Sequence, residues 1–352
     1  MTRAVELHGH RGARGLLPEN TLPGFAHALD LGVDAIELDV GLSADGVVVL
    51  GHDQTLSPVT LTDTAPAHPG DPAFPYVGKP VRDLTLAQLK TLEAGTRHPN
   101  GRRTPTPETG AASADRPVAG RPDAGRPDAT GAGSGRTDAS GVGGGLAGDG
   151  GVEGADPGDG WWPGDAFGVT QRAVPGTSIP TLAEVCRLVE PSSVELAVEL
   201  KTDPTWTNAD IARFVSAVAD VLHGAGLVAR SRLLAFDWRV LTRTPRELGR
   251  VALVERKTLV PDSPWLAGLP SRDPVASAVA VGATALSPEH AITTPGLVDD
   301  AHAAGLPVAV WTVNEPEDMA RFAKYGVDAI VTDYPDIALT VPGLASSTSA
   351  PA

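Results

Sequence analysis

Two carboxylates alternate with aliphatic residues in the stretch AIELDV at residues 35–40. A period of two is typical of a β-strand, so Glu37 and Asp39 should share one face and the aliphatic side chains the other. Burying two unpaired carboxylates side by side is costly, which indicates a cation between them, and a divalent metal ion fits best. The alternative is a solvent-exposed sheet face on which neither carboxylate has a role.

A second pattern, VELAVELK at residues 194–201, repeats this arrangement and places a further glutamate and Lys201 on its polar face. Three hard oxygen ligands for Mg²⁺ or Ca²⁺ are then available. The expected metal ligands are Glu37, Asp39 and Glu199. Three carboxylates and one divalent ion have a net charge of −1. Lys201 and Arg11 would bring the net charge of the pocket to +1. The pocket therefore favours a small anion such as a phosphodiester.

Two histidines accompany these carboxylates. His10 ends the first predicted strand, and His52 follows a short return strand at residues 47–50, beyond the turn SADG. An imidazole close to hard-oxygen metal ligands is typical of metal-assisted hydrolysis. We expect both histidines to take part in catalysis.

Alternating strand and helix patterns position these residues. The predicted strands are 5–10, 35–40, 194–201, 233–236, 251–254, 283–286, 308–312 and 329–332; the predicted helices are 21–31, 182–189, 209–223, 240–248, 274–281, 296–304 and 317–325. Eight such units favour a (β/α)8 TIM barrel, in which all strands end at one mouth. The alternative, an open doubly wound sheet, lacks the glycine-rich motif that would follow a strand. The polar and aromatic residues at the predicted strand ends are His10, Arg11, Glu37, Asp39, Glu199, Lys201, Phe236, Trp311, Thr332 and Asp333.

The alternation stops between the second and third barrel strands. Residues 83–93 predict a short capped helix, whereas residues 98–159 consist almost entirely of small and polar residues and contain a tandem AGRPD repeat. Too few apolar residues are present there to offset the entropy of ordering, so that segment is predicted to be a disordered surface insertion. The predicted domains are a catalytic barrel (1–53 and 179–342), an insertion (54–178) and a disordered tail (343–352).

Composition excludes several classes of partner. The 352 residues carry a net charge of −15, which disfavours nucleic acid and stable association with an anionic membrane. The single cysteine, Cys186, rules out an internal disulfide. The sequence begins without an apolar leader and contains no long apolar run, so a cytoplasmic location is expected.

Six motifs in order resemble the glycerophosphodiester phosphodiesterase family. They are HRGARGLLPENTLPGF at 10–25, ELDV at 37–40, HD at 52–53, IPTLAEV at 179–185, VELK at 198–201 and VWTVNE at 310–315, and GVDAIVTDYPD at 326–336 is similar to the end of the family. The resemblance implies a TIM-barrel, metal-dependent enzyme of lipid and glycerol metabolism. It would hydrolyse glycerophosphodiesters to sn-glycerol 3-phosphate and an alcohol.

The resemblance also implies roles for the site residues. His10 and His52 would be the general acid and base, in an order that the sequence leaves open. The metal ligands would again be Glu37, Asp39 and Glu199. Arg11 and Lys201 would bind the phosphate. The alcohol side would be lined by Glu19, Phe236 and Trp311.

Two departures from the family pattern bear on alcohol specificity. The arginine that usually follows the HD motif is missing, and Ala235 stands where a serine is common before Phe236. Independently of these departures, the nearest enzymatic alternative is a sphingomyelinase D or lysophospholipase D-like activity on a related barrel, which would predict an apolar, membrane-facing rim. A barrel that has lost catalysis and recruits partners through its insertion is the non-enzymatic one, but it should lack a ligand or a histidine, and none is missing.

Overall fold

A computed structural model describes residues 5–95, 167 and 170–344 of the chain. The strands are β1 (Glu6–Gly9), β2 (Ala35–Leu42), β3 (Val48–Leu50), β4 (Thr62–Asp63), β5 (Leu92–Glu93), β6 (Glu195–Leu200), β7 (Ser231–Ala235), β8 (Gly249–Val254), β9 (Ala285–Pro288), β10 (Ala309–Val310) and β11 (Ala329–Thr332). The α-helices are α1 (Leu22–Leu31), α2 (Leu86–Leu89), α3 (Leu182–Val189), α4 (Asn208–Gly224), α5 (Pro274–Val281), α6 (Pro295–Ala303), α7 (Pro316–Tyr325) and α8 (Pro335–Ala338).

Within this described part, eight parallel strands form a barrel in the order β10-β11-β1-β2-β6-β7-β8-β9. Parallel bridges from Leu286 to Val308 and from Glu289 to Trp311 join β9 to β10 and close the ring. The predicted (β/α)8 barrel is confirmed, and the open doubly wound alternative is wrong. Strand β3 lies outside the ring, antiparallel to β2.

The period of two in β2 and β6 separates two environments. Ile36, Leu38 and Val40 are completely buried in the layer between strands and helices. Their neighbours along the strand point into the barrel, because successive side chains alternate across a strand. The register pairs Asp39 with Glu199, so carboxylates from two adjacent strands reach the same height.

Most predicted elements are present within one to three residues of their expected bounds, but the predicted helix at 240–248 is wrong. Only a 3-10 turn forms there, Leu241–Arg243. Thr244 is extended, with φ −62° and ψ 127°. Pro245 follows it, and a residue before proline is disfavoured in the α-helical region.

The predicted helix at 83–93 is also shorter than expected. Thr85 caps α2 through a capping box with Gln88, and the helix ends after one turn. The chain then enters β5, which pairs with β4. Leu92 of β5 belongs to a second buried cluster, which is separate from the barrel core. Its members are Val49, Leu56, Tyr76, Val81, Leu84, Leu89, Leu92 and Ile179.

The predicted disorder at 98–159 lies outside the described residues, as does the tail from 345 onward. Residues 343 and 344, which were assigned to that tail, are described, and Leu344 packs into the barrel core. None of the described helices combines the length and hydropathy needed to cross a bilayer. The cytoplasmic location stays a prediction.

Candidate active site

Three buried carboxylates meet at the carboxyl end of the barrel. Glu37 and Asp39 come from β2 and Glu199 from β6, and one oxygen of each lies within 4.8 Å of the others. Their exposed fractions are 4%, 1% and 8%. The structure therefore brings together all three residues that the sequence predicted as metal ligands.

Two cations border this cluster. Arg11 is the second residue after β1, at φ 50°, and its Nε is 3.1 Å from Asp39 Oδ2. Its backbone N–H donates to Glu37 Oε2 at 2.9 Å. Lys201, directly after β6, places Nζ 3.0 Å from Asp39 Oδ1 and 2.6 Å from Glu199 Oε1. Both predicted phosphate-binding residues are thus at the cluster.

The electrostatics of the cluster suit a bound cation. Burial raises the pKa of Glu37 well above its usual value, and the adjacent Asp39 and Glu199 carboxylates raise it further. Burial also acts to raise the pKa of Asp39, but the Lys201 ammonium and the Arg11 guanidinium outweigh it and hold that pKa far below its usual range. Three carboxylates against two cations leave an excess of buried negative charge, and hard oxygen donors of this kind fit Mg²⁺ or Ca²⁺.

His10 is held by a carboxylate from the last barrel strand. Its Nδ1 lies 2.7 Å from Asp333 Oδ1. An ionised carboxylate only accepts, so Nδ1 carries the proton and donates it. Asn314 Nδ2 donates to the other oxygen of Asp333 at 2.8 Å. The second ring nitrogen of His10, Nε2, faces the acidic cluster, 3.9 Å from Glu37 Oε2.

His52 reaches the same mouth through the return strand. The β2–β3 pairing and the Gly51 N–H, which donates to the Asp39 carbonyl at 3.1 Å, turn the chain back to the cluster. His52 Nδ1 is 2.8 Å from Asp53 Oδ1. The side chain of His52 is 21% exposed, compared with 9% for His10. Both histidines therefore have a carboxylate partner, but His52 is the more accessible.

The three residues predicted to line the alcohol side fall into two groups. Phe236 and Trp311 contact each other edge to face, with ring centroids 5.5 Å apart, above the apolar residues inside the barrel. Glu19 instead forms ion pairs with Arg11 at 3.1 Å and Arg14 at 2.7 Å, in the loop before α1.

Sequence reasoning missed the residues that orient the predicted ones. Asn20 donates from Nδ2 to Asp39 Oδ2 at 2.8 Å and accepts from the Asp39 N–H at 3.1 Å. The sequence pattern predicts Asp333 only as a strand-end residue and predicts no role for Asn314. Both asparagines lie inside quoted motifs, PENT and VWTVNE, which was the available signal.

A closed barrel with an acidic cluster, flanking cations and two carboxylate-held imidazoles at its mouth defines a class of metal-dependent hydrolases that act on anionic esters. The sequence profile of the glycerophosphoryl diester phosphodiesterase family matches residues 10–337, and the chain belongs to that family.

Similar proteins agree with this assignment along the whole chain. A glycerophosphodiester phosphodiesterase of Caldanaerobacter subterraneus subsp. tengcongensis is 24% identical over 327 residues, which is 93% of each chain. A crystal structure from Silicibacter pomeroyi, named for the same family, is 27% identical with a TM-score of 0.68 and covers 96% of this chain and 92% of its own. A phosphodiesterase structure from Oleispira antarctica is 20% identical, with a TM-score of 0.58 and 94% coverage of both chains, and shares the fold.

Proposed function

We propose that the protein is a divalent-metal-dependent phosphodiesterase that hydrolyses glycerophosphodiesters to sn-glycerol 3-phosphate and an alcohol. The observation that carries the proposal is the buried Glu37, Asp39 and Glu199 cluster beside two histidines. Family membership supports the reaction class. The Oleispira antarctica structure, whose chain shares this fold, is a complex with the product sn-glycerol-3-phosphate.

The cluster would hold Mg²⁺ or Ca²⁺. A divalent ion, when bound, polarises a phosphoryl oxygen and lowers the pKa of a bound hydroxyl or water. Arg11 and Lys201, which face the cluster from β1 and β6, supply positive charge to the phosphate oxygens. Glu19 accepts from Arg11 Nη1 and, through this contact, orients the phosphate-binding guanidinium.

We assign His10 as the base and His52 as the acid. His10 Nε2 faces the carboxylate cluster, and Asp333 stabilises the imidazolium that forms when this nitrogen takes a proton. His52 is more exposed and donates a proton to the leaving alkoxide, which is a poor leaving group without it. Phe236 and Trp311, whose rings contact each other, provide an apolar wall for the carbon atoms of the glycerol moiety.

A panel of purified diesters with and without EDTA tests the proposal. We expect release of sn-glycerol 3-phosphate from glycerophosphodiesters, loss of that activity with EDTA, and its return with Mg²⁺ or Ca²⁺. Glu199→Gln, purified in parallel, controls for contaminating hydrolases. Turnover of sphingomyelin without turnover of any glycerophosphodiester would favour the sphingomyelinase D alternative. Inactivity on every diester with added metal would contradict the proposal.

A further inference from the structure

A cavity opens beside His52, and most of its lining residues belong to the chain between β3 and α3. It encloses about 720 Å³ of empty space, part of it open to solvent. We call it the His52 cavity. Its apolar wall is formed by Val49, Leu56, Leu61, Val81, Leu89 and Ile179.

One end of the His52 cavity is the active site itself. Glu19, Asn20 and His52 all line it. Asn20 also donates to the candidate metal ligand Asp39 at 2.8 Å, so the cavity begins next to the acidic cluster. A group bonded to phosphorus on the His52 side therefore has a direct path into the cavity.

The rest of the cavity lining is mostly aliphatic. Val49, Leu56, Leu89 and Ile179 are 4% exposed or less and belong to the second hydrophobic cluster. Gln171 also lines the cavity, but its amide donates to the carbonyls of Arg14 and Leu17. Ser57 and Thr60 add two hydroxyl groups. A charged or strongly polar head group placed against the aliphatic wall would lose hydrogen bonds to water without full replacement.

We infer that the His52 cavity receives the leaving alcohol and that the preferred substrates carry an apolar alcohol, an alkyl or aryl group of several carbons. The inference rests on the proposed function. In the reaction water adds to phosphorus, and the bond from phosphorus to the alcohol oxygen breaks with its electron pair on oxygen. His10 takes the proton that the attacking water loses, and His52 supplies the proton that the alcohol oxygen takes. The products are sn-glycerol 3-phosphate and the neutral alcohol, which leaves through the cavity.

A homologous series of sn-glycero-3-phosphoalkanols with ethyl, butyl, hexyl and octyl groups tests the inference. Burying one methylene is worth about a fourfold gain, so kcat/KM should rise roughly 250-fold over the four methylenes from ethyl to hexyl. All rates are measured below the critical micelle concentration by release of sn-glycerol 3-phosphate. If kcat/KM of the wild-type protein does not change with alkyl chain length, the inference is overturned while the proposed function stays in place. Failure of every diester, ethyl included, would overturn the proposed function and the inference with it.

Matched variants test where the alkyl chain of the substrate binds. Ala94 lines the cavity, whereas Ala65 is exposed and lies elsewhere in the same segment. Ala94→Leu should reduce the hexyl-to-ethyl ratio of kcat/KM at least tenfold, and Ala65→Leu should keep the wild-type ratio. Thr60→Phe fills the cavity from another position and serves if Ala94→Leu does not fold, as judged by circular dichroism. If both cavity variants keep the wild-type hexyl-to-ethyl ratio of kcat/KM, the alkyl chain binds elsewhere.

Discussion

Replacing Asp333 with asparagine tests how the structure prepares His10. The Asp333 carboxylate accepts from His10 Nδ1 at 2.7 Å and from Asn314 Nδ2 at 2.8 Å. The Asp333→Asn change keeps the shape of the side chain and removes its charge. We expect fold and metal affinity to be retained and kcat to fall, because the imidazolium that forms during the reaction loses its counter-charge.

The size of the effect follows from the electrostatics of Asp333. Burial acts to raise the pKa of Asp333, yet His10 and Arg14 hold it at about 2, against a usual value of 3.8. This difference corresponds to about 2 kcal/mol in favour of the ionised carboxylate. Much of it comes from His10, so removing the charge should cost the imidazolium a similar amount, or about thirtyfold in kcat. Because the pKa is net of the burial penalty, the loss can approach the 10²–10⁴ range of general base catalysis.

The assay is steady-state hydrolysis of an alkyl glycerophosphodiester, with metal titration by calorimetry. Asp328 offers a matched control, since it holds His302 at 2.8 Å at the opposite end of the barrel. Asp328→Asn should leave kcat unchanged. The reasoning fails if kcat of Asp333→Asn stays within threefold of wild type, or if its metal affinity falls enough to explain the loss.

Four further predictions follow from the site and the chain. The variants Glu37→Gln, Asp39→Asn and Glu199→Gln should each weaken metal affinity at least tenfold in calorimetry, and excess metal should restore part of their turnover. Unchanged metal affinity in all three variants would contradict the proposed ligand set. His52→Ala should cut kcat by roughly 10²–10⁴ on an alkyl diester but far less on a nitrophenyl diester, which needs little protonation; equal losses on both would remove its role as the acid. The Asp333 pKa of about 2 lies below the usual 3.8, so its ionised form stabilises the folded protein above about pH 4 and that contribution is lost as the pH falls towards 2. Urea unfolding should therefore show wild type losing about 2 kcal/mol more than Asp333→Asn over that interval, and parallel curves would contradict this. Deleting residues 110–154, which carry too few apolar side chains to form a core, should change the melting temperature and kcat/KM little. A deletion variant that does not fold would show that the segment is needed.

The local sequence pattern was sufficient to predict the barrel and the cluster of three carboxylates at its mouth. The alternation in AIELDV and VELAVELK predicts which side chains share a face, since that depends only on the period of a strand. Parallel strands in a barrel end at one mouth, so Glu37, Asp39 and Glu199 could be grouped before any distance was known. The helix predicted at 240–248 is wrong because Pro245 disfavours the α-helical conformation at Thr244, which is extended.

The partners of these residues were decided by tertiary structure. His10 and Asp333 are 323 residues apart in sequence, and their contact exists only because β1 pairs with β11. Likewise, the ion pairs of Glu19 with Arg11 and Arg14 depend on the conformation of the loop before α1. The sequence by itself determined the strand faces, the acidic cluster and the family. Which group orients each histidine, and which apolar surfaces enclose the His52 cavity, depend on contacts between distant segments, and a local period carries no information about them.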